Sequence, residues 1–141
     1  MMRDTAWPAA RLAAERRLVH VLWLTSGLGC DGDSVAMTAA TSPSLEDLLH
    51  GALPGMPRIL LYNQMLALET GDEFVEPFRR AAAGQLNPFI LVLEGSVPNE
   101  EISGEGHWSG FGVDRRTGQP ITVCAWIDIL APAAAAVLAL G

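Results

Sequence analysis

Apolar residues along this 141-residue chain gather into four short blocks, separated by polar stretches punctuated with Gly and Pro. Leu18 to Leu24 is rich in β-formers and ends at Thr25-Ser-Gly-Leu-Gly29, which predicts a buried strand running into a Gly-rich turn. Val35 to Ala40 has a helical pattern, with Asp33 or Ser34 suited to cap it. Pro43 ends that helix, and Ser44 opens another that carries acids in its first turn. Arg58 to Tyr62 predicts a second strand. Asp72 to Ala83 predicts a helix with Phe74, Val75 and Phe78 on one stripe, unless Pro77 delays its start to Glu76. Phe89 to Leu93 is the clearest strand. Thr122 to Leu130 then reads as a helix and Ala133 to Leu140 as a fourth strand or its lead-in.

Strands alternating with helices, the strands apolar throughout, describe an α/β fold: an open parallel sheet with helices on both faces. In such sheets the loops at the carboxyl ends of the strands form the binding crevice. Two of these loops stand out, Gly27 to Ser34 and Glu94 to Pro98. Residues 99–120 are polar and Gly-rich, and read as a long, functional loop with Trp108 as a candidate interface anchor.

Composition narrows the function classes. Half the residues are apolar and 18% are charged, which suits a packed core. The net charge is −7, all nine cations are Arg, and the isoelectric point is near 4.8. That balance argues against a nucleic-acid surface. Four of the nine, Arg3, Arg11, Arg16 and Arg17, precede the first strand, so residues 1–17 are expected to be a basic leader or short helix outside a fold spanning 18–141. Arg16-Arg17 before an apolar run also fits a twin-arginine export signal, but cleavage beyond it would remove the Gly-rich turn. No stretch reaches the roughly 18–20 apolar residues of a membrane span. Two cysteines are too few for a disulfide scaffold, so a reduced, cytoplasmic setting is expected, with any membrane association through partners.

Candidate chemistry centres on Cys30 and Asp33, a thiolate and a carboxylate three apart on the first Gly-rich turn. The bland alternative is a small buried Cys beside a helix-capping Asp. Glu94, at the end of the third strand, faces the same crevice and could tune a site or relay protons; otherwise the amides of Gly95 and Ser96 satisfy it. His20 reads as a packed residue of the first strand, and His50 as a helix-end cation. His107 sits in the long loop, and Cys124, Trp23 and Trp126 read as packing. No Walker A, H-E-x-x-H, C-x-x-C or G-x-S-x-G pattern is present.

Several segments together resemble the small subunit of nickel–iron hydrogenases. These are Val21-Leu-Trp-Leu24 through Cys30-Asp-Gly-Asp-Ser34, Asn87-Pro-Phe-Ile-Leu-Val-Leu-Glu-Gly-Ser-Val-Pro98, Trp126-Ile-Asp-Ile-Leu-Ala-Pro132 and Ala136-Val-Leu-Ala-Leu-Gly141. The resemblance covers about residues 18 to 141 and implies a flavodoxin-like domain. It also implies a [4Fe–4S] cluster proximal to a nickel–iron site carried by a separate large subunit. Most of the family has Cys-x-x-Cys after the first strand. Here Cys30 matches the first ligand and Asp33 takes the place of the second, as in the actinobacterial-type, oxygen-tolerant branch, where Cys-Asp-Gly-Asp-Ser is itself the pattern. The family's third and fourth ligands, in a Thr-Cys and a later Gly-Cys-Pro, have no counterpart here. The chain is therefore expected to be the N-terminal portion of such a subunit, without its C-terminal cluster-binding part, holding two of four cluster ligands. No catalytic residue is expected, and the electron acceptor is not indicated. The competing readings are the 20 kDa-type cluster subunit of NADH:quinone oxidoreductase, a cofactor-free flavodoxin-like module, and a gene remnant.

Overall fold

The computed structural model describes residues 18–27, 29–100 and 110–141. The expected leader, together with His107 and Trp108, lies outside the described residues. The four apolar blocks form one parallel sheet: β1 (Leu18–Thr25), β2 (Arg58–Asn63), β3 (Phe89–Glu94) and the strand Ala136–Leu140. Between β3 and that last strand lies an antiparallel ribbon, β4 (Gly110–Val113) and β5 (Pro120–Thr122), so the fourth sheet strand is β6. The helices are α1 (Gly32–Thr38), α2 (Leu45–His50), α3 (Asp72–Ala82) and α4 (Val123–Leu130). The sheet order is β2-β1-β3-β6.

This order means the chain leaves β1 to one side for β2 and returns to its other side for β3. In open α/β sheets such a reversal opens a crevice at the carboxyl ends of the two strands concerned. Register pairs Trp23 with both Asn63 and Val92, and Thr25 with Glu94. β1 and β3 therefore end side by side, β2 ends two residues earlier, and Trp23, Asn63 and Glu94 share one face of the sheet.

The opposite face carries the main core. Leu22, Leu24, Phe89 and Leu91 pack there against Phe74, Val75, Phe78 and Ala81 of α3 and Trp126 and Leu130 of α4. Phe78 is fully buried, with its ring centroid 4.9 Å from Phe111, 5.8 Å from Phe74 and 6.0 Å from Trp126. α3 runs straight through Pro77 from Asp72, so the proline does not delay its start. Proline removes one backbone donor, but the buried stripe on either side of it, Phe74, Val75, Phe78 and Ala81, keeps both halves against the sheet.

The first face is more thinly covered. Val21, Trp23 and Val92 form its buried cluster, with Met37 of α1, Ile59, Leu61, Ile90 and Leu140 against it. On β6, Val137 and Leu138 point to opposite faces and are 44% and 50% exposed.

Part of the expected 99–120 loop is in fact the β4–β5 ribbon. Asp114 turns it by accepting hydrogen bonds from the amides of Arg116 and Thr117, both at 2.8 Å. Phe111 plugs the ribbon into the aromatic core, where its carbonyl accepts from Trp126 Nε1 at 2.7 Å. Arg115, just past β4, bonds Asp72 and Glu76 of α3 at 3.1 and 2.9 Å.

α2 begins as the sequence predicts. Ser44 Oγ accepts from the Asp47 amide at 3.1 Å while Asp47 Oδ2 accepts from the Ser44 amide at 2.9 Å, a reciprocal capping box. Ser44→Ala should destabilise the chain by about 1 kcal/mol, read as a lower urea midpoint at unchanged slope. An unmoved midpoint would show that the box adds nothing in this setting. His20 is half-buried as expected, its ring stacked on Tyr62 with Nδ1 3.2 Å from the hydroxyl. Burial first, then the nearby charge of Arg80, holds its pKa below the usual histidine value.

Candidate functional site: the mouth between β1 and β3

The turn after β1 and the turn after β3 are joined backbone to backbone. The Ser26 amide donates to the Glu94 carbonyl at 3.2 Å, and the Ser26 hydroxyl donates to the Ser96 carbonyl. Gly29 lies directly against Gly95: a Cβ at position 29 would stand 3.0 Å from the Gly95 Cα. Only a residue without a side chain allows that approach without displacing one turn.

Asp31 then takes a left-handed conformation, φ 53°, which Asp tolerates better than most residues, and α1 starts at Gly32. This corrects two expectations. The helix begins three residues before Val35, and neither Asp33 nor Ser34 caps it. Asp31 holds the cap position and its side chain makes no capping bond. Asp33 and Ser34 fall inside the first turn, where their amides need an acceptor from elsewhere.

Glu94 supplies it. The residue is 3% exposed. Its Oε1 accepts from the amides of Asp33 at 3.0 Å and Ser34 at 3.1 Å. Its Oε2 accepts from the Ser34 hydroxyl at 2.6 Å and from Trp23 Nε1 at 2.7 Å. Ser34 Oγ in turn accepts from Asn63 Nδ2 at 2.9 Å, and Asn63 Oδ1 accepts from the Met65 amide at 2.8 Å. The expected partners, the amides of Gly95 and Ser96, are not used: the Gly95 amide donates to the Leu140 carbonyl at 3.1 Å. Burial pushes the Glu94 carboxyl upward, but the bonds from Ser34, Trp23 and Asp33 outweigh it and hold the group below its ordinary value. A buried carboxylate with four donors is fully satisfied.

The two candidate ligands belong to the segment that this anchor holds, and both are exposed, Cys30 as a free thiol. Neither half of the bland reading holds, because the cysteine is not buried and the aspartate does not cap. The Cys30 Sγ rests over Gly32, where a Cβ would come within 3.0 Å of it. Asp31 Oδ1 is buried without a hydrogen-bond partner among the described residues. Among the described residues no group of three or more His, Cys, Asp and Glu side chains could hold a metal ion. A thiol and a carboxylate free at the mouth of the crevice fit half of a cluster's donor set, one soft ligand and one hard.

The other candidates lie elsewhere. His50 lies in the last turn of α2, at the helix end where the sequence places it. Cys124, in α4, points its thiol at the Pro98 carbonyl, 3.6 Å away, and burial raises its pKa. Trp126 packs in the core as expected. Trp23 is buried too, yet its indole N–H is spent on Glu94, so packing is only part of its role. Ser34 and Asn63 were not singled out for this arrangement. Their signal is positional: a polar residue closes each of the apolar strands β2 and β3, and a third follows the turn after β1.

No family model and no curated protein matches the chain. Among solved structures, an actinobacterial-type NiFe-hydrogenase chain from Ralstonia eutropha H16 is 56% identical with a TM-score of 0.82, over 88% of this chain and 36% of that one. A reduced, active form of the Ni-Fe-Se hydrogenase from Desulfomicrobium baculatum aligns at 24% identity and a TM-score of 0.69, over 87% of this chain and 42% of that one, and shows the shared fold. An H2-activated structure of the [NiFeSe]-hydrogenase from the same organism aligns at 25% identity with the same TM-score. The chain therefore spans about two-fifths or less of each. The likeness to nickel–iron hydrogenases read from the residues is borne out, including its actinobacterial-type branch. No helix among the described residues is long and apolar enough to cross a membrane.

Proposed function

We propose that this chain, similar over most of its length to an actinobacterial-type NiFe-hydrogenase, is the flavodoxin-like part of an electron-transfer small subunit. Its Cys30 and Asp33 would hold the [4Fe–4S] cluster proximal to the nickel–iron site of a large subunit. The observation that carries this reading is the exposed thiol and exposed carboxylate, three residues apart, presented at the switch point of the sheet by a turn that uses neither side chain for its own structure. The identity to the Ralstonia chain favours hydrogenase over the quinone-reductase relative. Such a cluster, when bound, accepts and passes on single electrons. The remaining ligands would come from the part of the subunit that this chain does not span.

Within that assembly the chain's residues have separate tasks. Cys30 supplies a thiolate and Asp33 a carboxylate oxygen. Gly32 leaves room beside the sulfur. Glu94 lies beneath the turn. To serve as a stop on a proton path it would have to take up a proton against all four of its donors, so anchoring is the use we propose for it.

The test is Asp33→Cys in the anaerobically prepared two-subunit enzyme. The cluster should be retained, with a changed electron paramagnetic resonance signal and a shifted midpoint potential. An unchanged signal and potential would remove Asp33 from the ligand set.

A further inference from the structure

Three polar side chains that no sequence motif connects, Trp23 on β1, Asn63 on β2 and Glu94 on β3, form one network with Ser34 in the first turn of α1: Glu94 and Asn63 bond Ser34 directly, and Trp23 bonds Glu94. They tie the ends of the three strands to the segment that carries Cys30 and Asp33. Ser34 is fully buried and Asn63 is 1% exposed, so water does not replace these bonds readily. Apart from the Ser26 bonds and the Gly29–Gly95 contact at the start of the turn, little else among the described residues holds it. α1 is seven residues long, its cap position makes no side-chain bond, and both Cys30 and Asp33 are exposed.

We propose that Glu94, with Trp23, Ser34 and Asn63, is the positioning device that sets where the Asp33 carboxylate and the Cys30 thiol stand, and that Trp23 is the reason a carboxylate is required there. The chemistry of the donors decides the second point. Glu94 Oε1 receives two amides, which a glutamine oxygen would also accept. Oε2 receives the Trp23 indole and the Ser34 hydroxyl. In Glu94→Gln one of these two sides must carry an NH2 group. The Ser34 hydroxyl can rotate and accept, but an indole N–H only donates. Trp23 would then face a donor with nowhere to turn, and a buried donor without an acceptor destabilises the arrangement around it. The role of this device in presenting cluster ligands rests on the function proposed above; the anchoring itself does not.

Hydrogen exchange on the chain tests the anchor without any cluster. Glu94→Gln should speed exchange of the Asp33 and Ser34 amides by about tenfold, the scale set by weakening charge-assisted hydrogen bonds, while the β1–β3 ladder amides keep their protection. In a double-mutant cycle, the same substitution should have a smaller effect in a Trp23→Phe background, because the donor conflict is gone. Equal effects in both backgrounds would overturn the role of Trp23. Unchanged exchange at Asp33 and Ser34 would overturn the anchor. Should Glu94→Gln fail to fold, Ser34→Ala replaces it: faster Asp33 exchange supports the anchor and unchanged exchange overturns it.

In the two-subunit enzyme, Glu94→Gln should also alter the cluster's resonance signal, with the signal returning toward wild type when Trp23→Phe is added. If Asp33→Cys alters that signal and Glu94→Gln does not, the positioning role fails and the ligand assignment stands. If Asp33→Cys leaves it unchanged while exchange responds to Glu94→Gln, the ligand assignment fails and the anchor stands.

Discussion

Cys30→Ala in the assembled enzyme should lower the iron content by one cluster and abolish the proximal resonance signal. Cys30 is the one exposed thiol among the described residues, and nothing in the described turn offers a soft donor in its place. Asp33 alone would leave a single, hard donor on this side of the site, and a thiolate-loving cluster held that way should not persist. Hydrogen oxidation with an artificial acceptor should fall by more than the roughly 10–100-fold that loss of a supporting residue costs a metal site. Cys124→Ala is the control. That thiol is half-buried in α4 against the Pro98 carbonyl, so its removal should leave the iron content unchanged. Iron content that survives Cys30→Ala would end the ligand assignment.

Phe78→Ala should produce the largest loss of stability of any single truncation considered for this chain, about 3–5 kcal/mol. The ring is fully buried where α3, α4, the sheet and the ribbon meet, and three aromatic neighbours stand within 6.0 Å of its centroid. Those neighbours come from three different elements, so they cannot close in together, and the cavity should remain largely open. A loss of that size is about a fifth or more of the 5–15 kcal/mol typical of a domain. The readout is the urea midpoint, with Leu138→Ala as the comparison, because Leu138 is half exposed on β6 and should cost far less. Equal shifts for the two variants would mean that the core is not centred where the packing places it.

Much of the framework was legible in the order of residues because strands and helices here follow from local pattern. β1, β2 and β3 coincide with the predicted apolar runs to within a residue, and Ser44 caps α2 as its position implies. The parallel sheet followed from strands that are apolar on both faces. The ribbon was missed because its strands are only four and three residues long and contain two glycines, too short for a period to register. Its turn chemistry, Asp114 to Gly118, was the available signal. Pro77 was overweighted because propensity does not count the core contacts made on either side of it.

The candidate site divides along the same line. By itself the sequence determined the two ligand-type side chains, their spacing of three, their place after the first strand, and a carboxylate closing the third. Those are properties of neighbours along the chain. Only the tertiary structure decided that Asp33 is free rather than capping, that Glu94 serves the first turn of α1 instead of its own neighbours, and that Trp23 and Ser34, itself held by Asn63, complete its shell. Each of those depends on a partner between 29 and 71 residues away. The choice among alternative acceptors for a buried amide is made by which strand ends the sheet brings side by side, and no local pattern contains that.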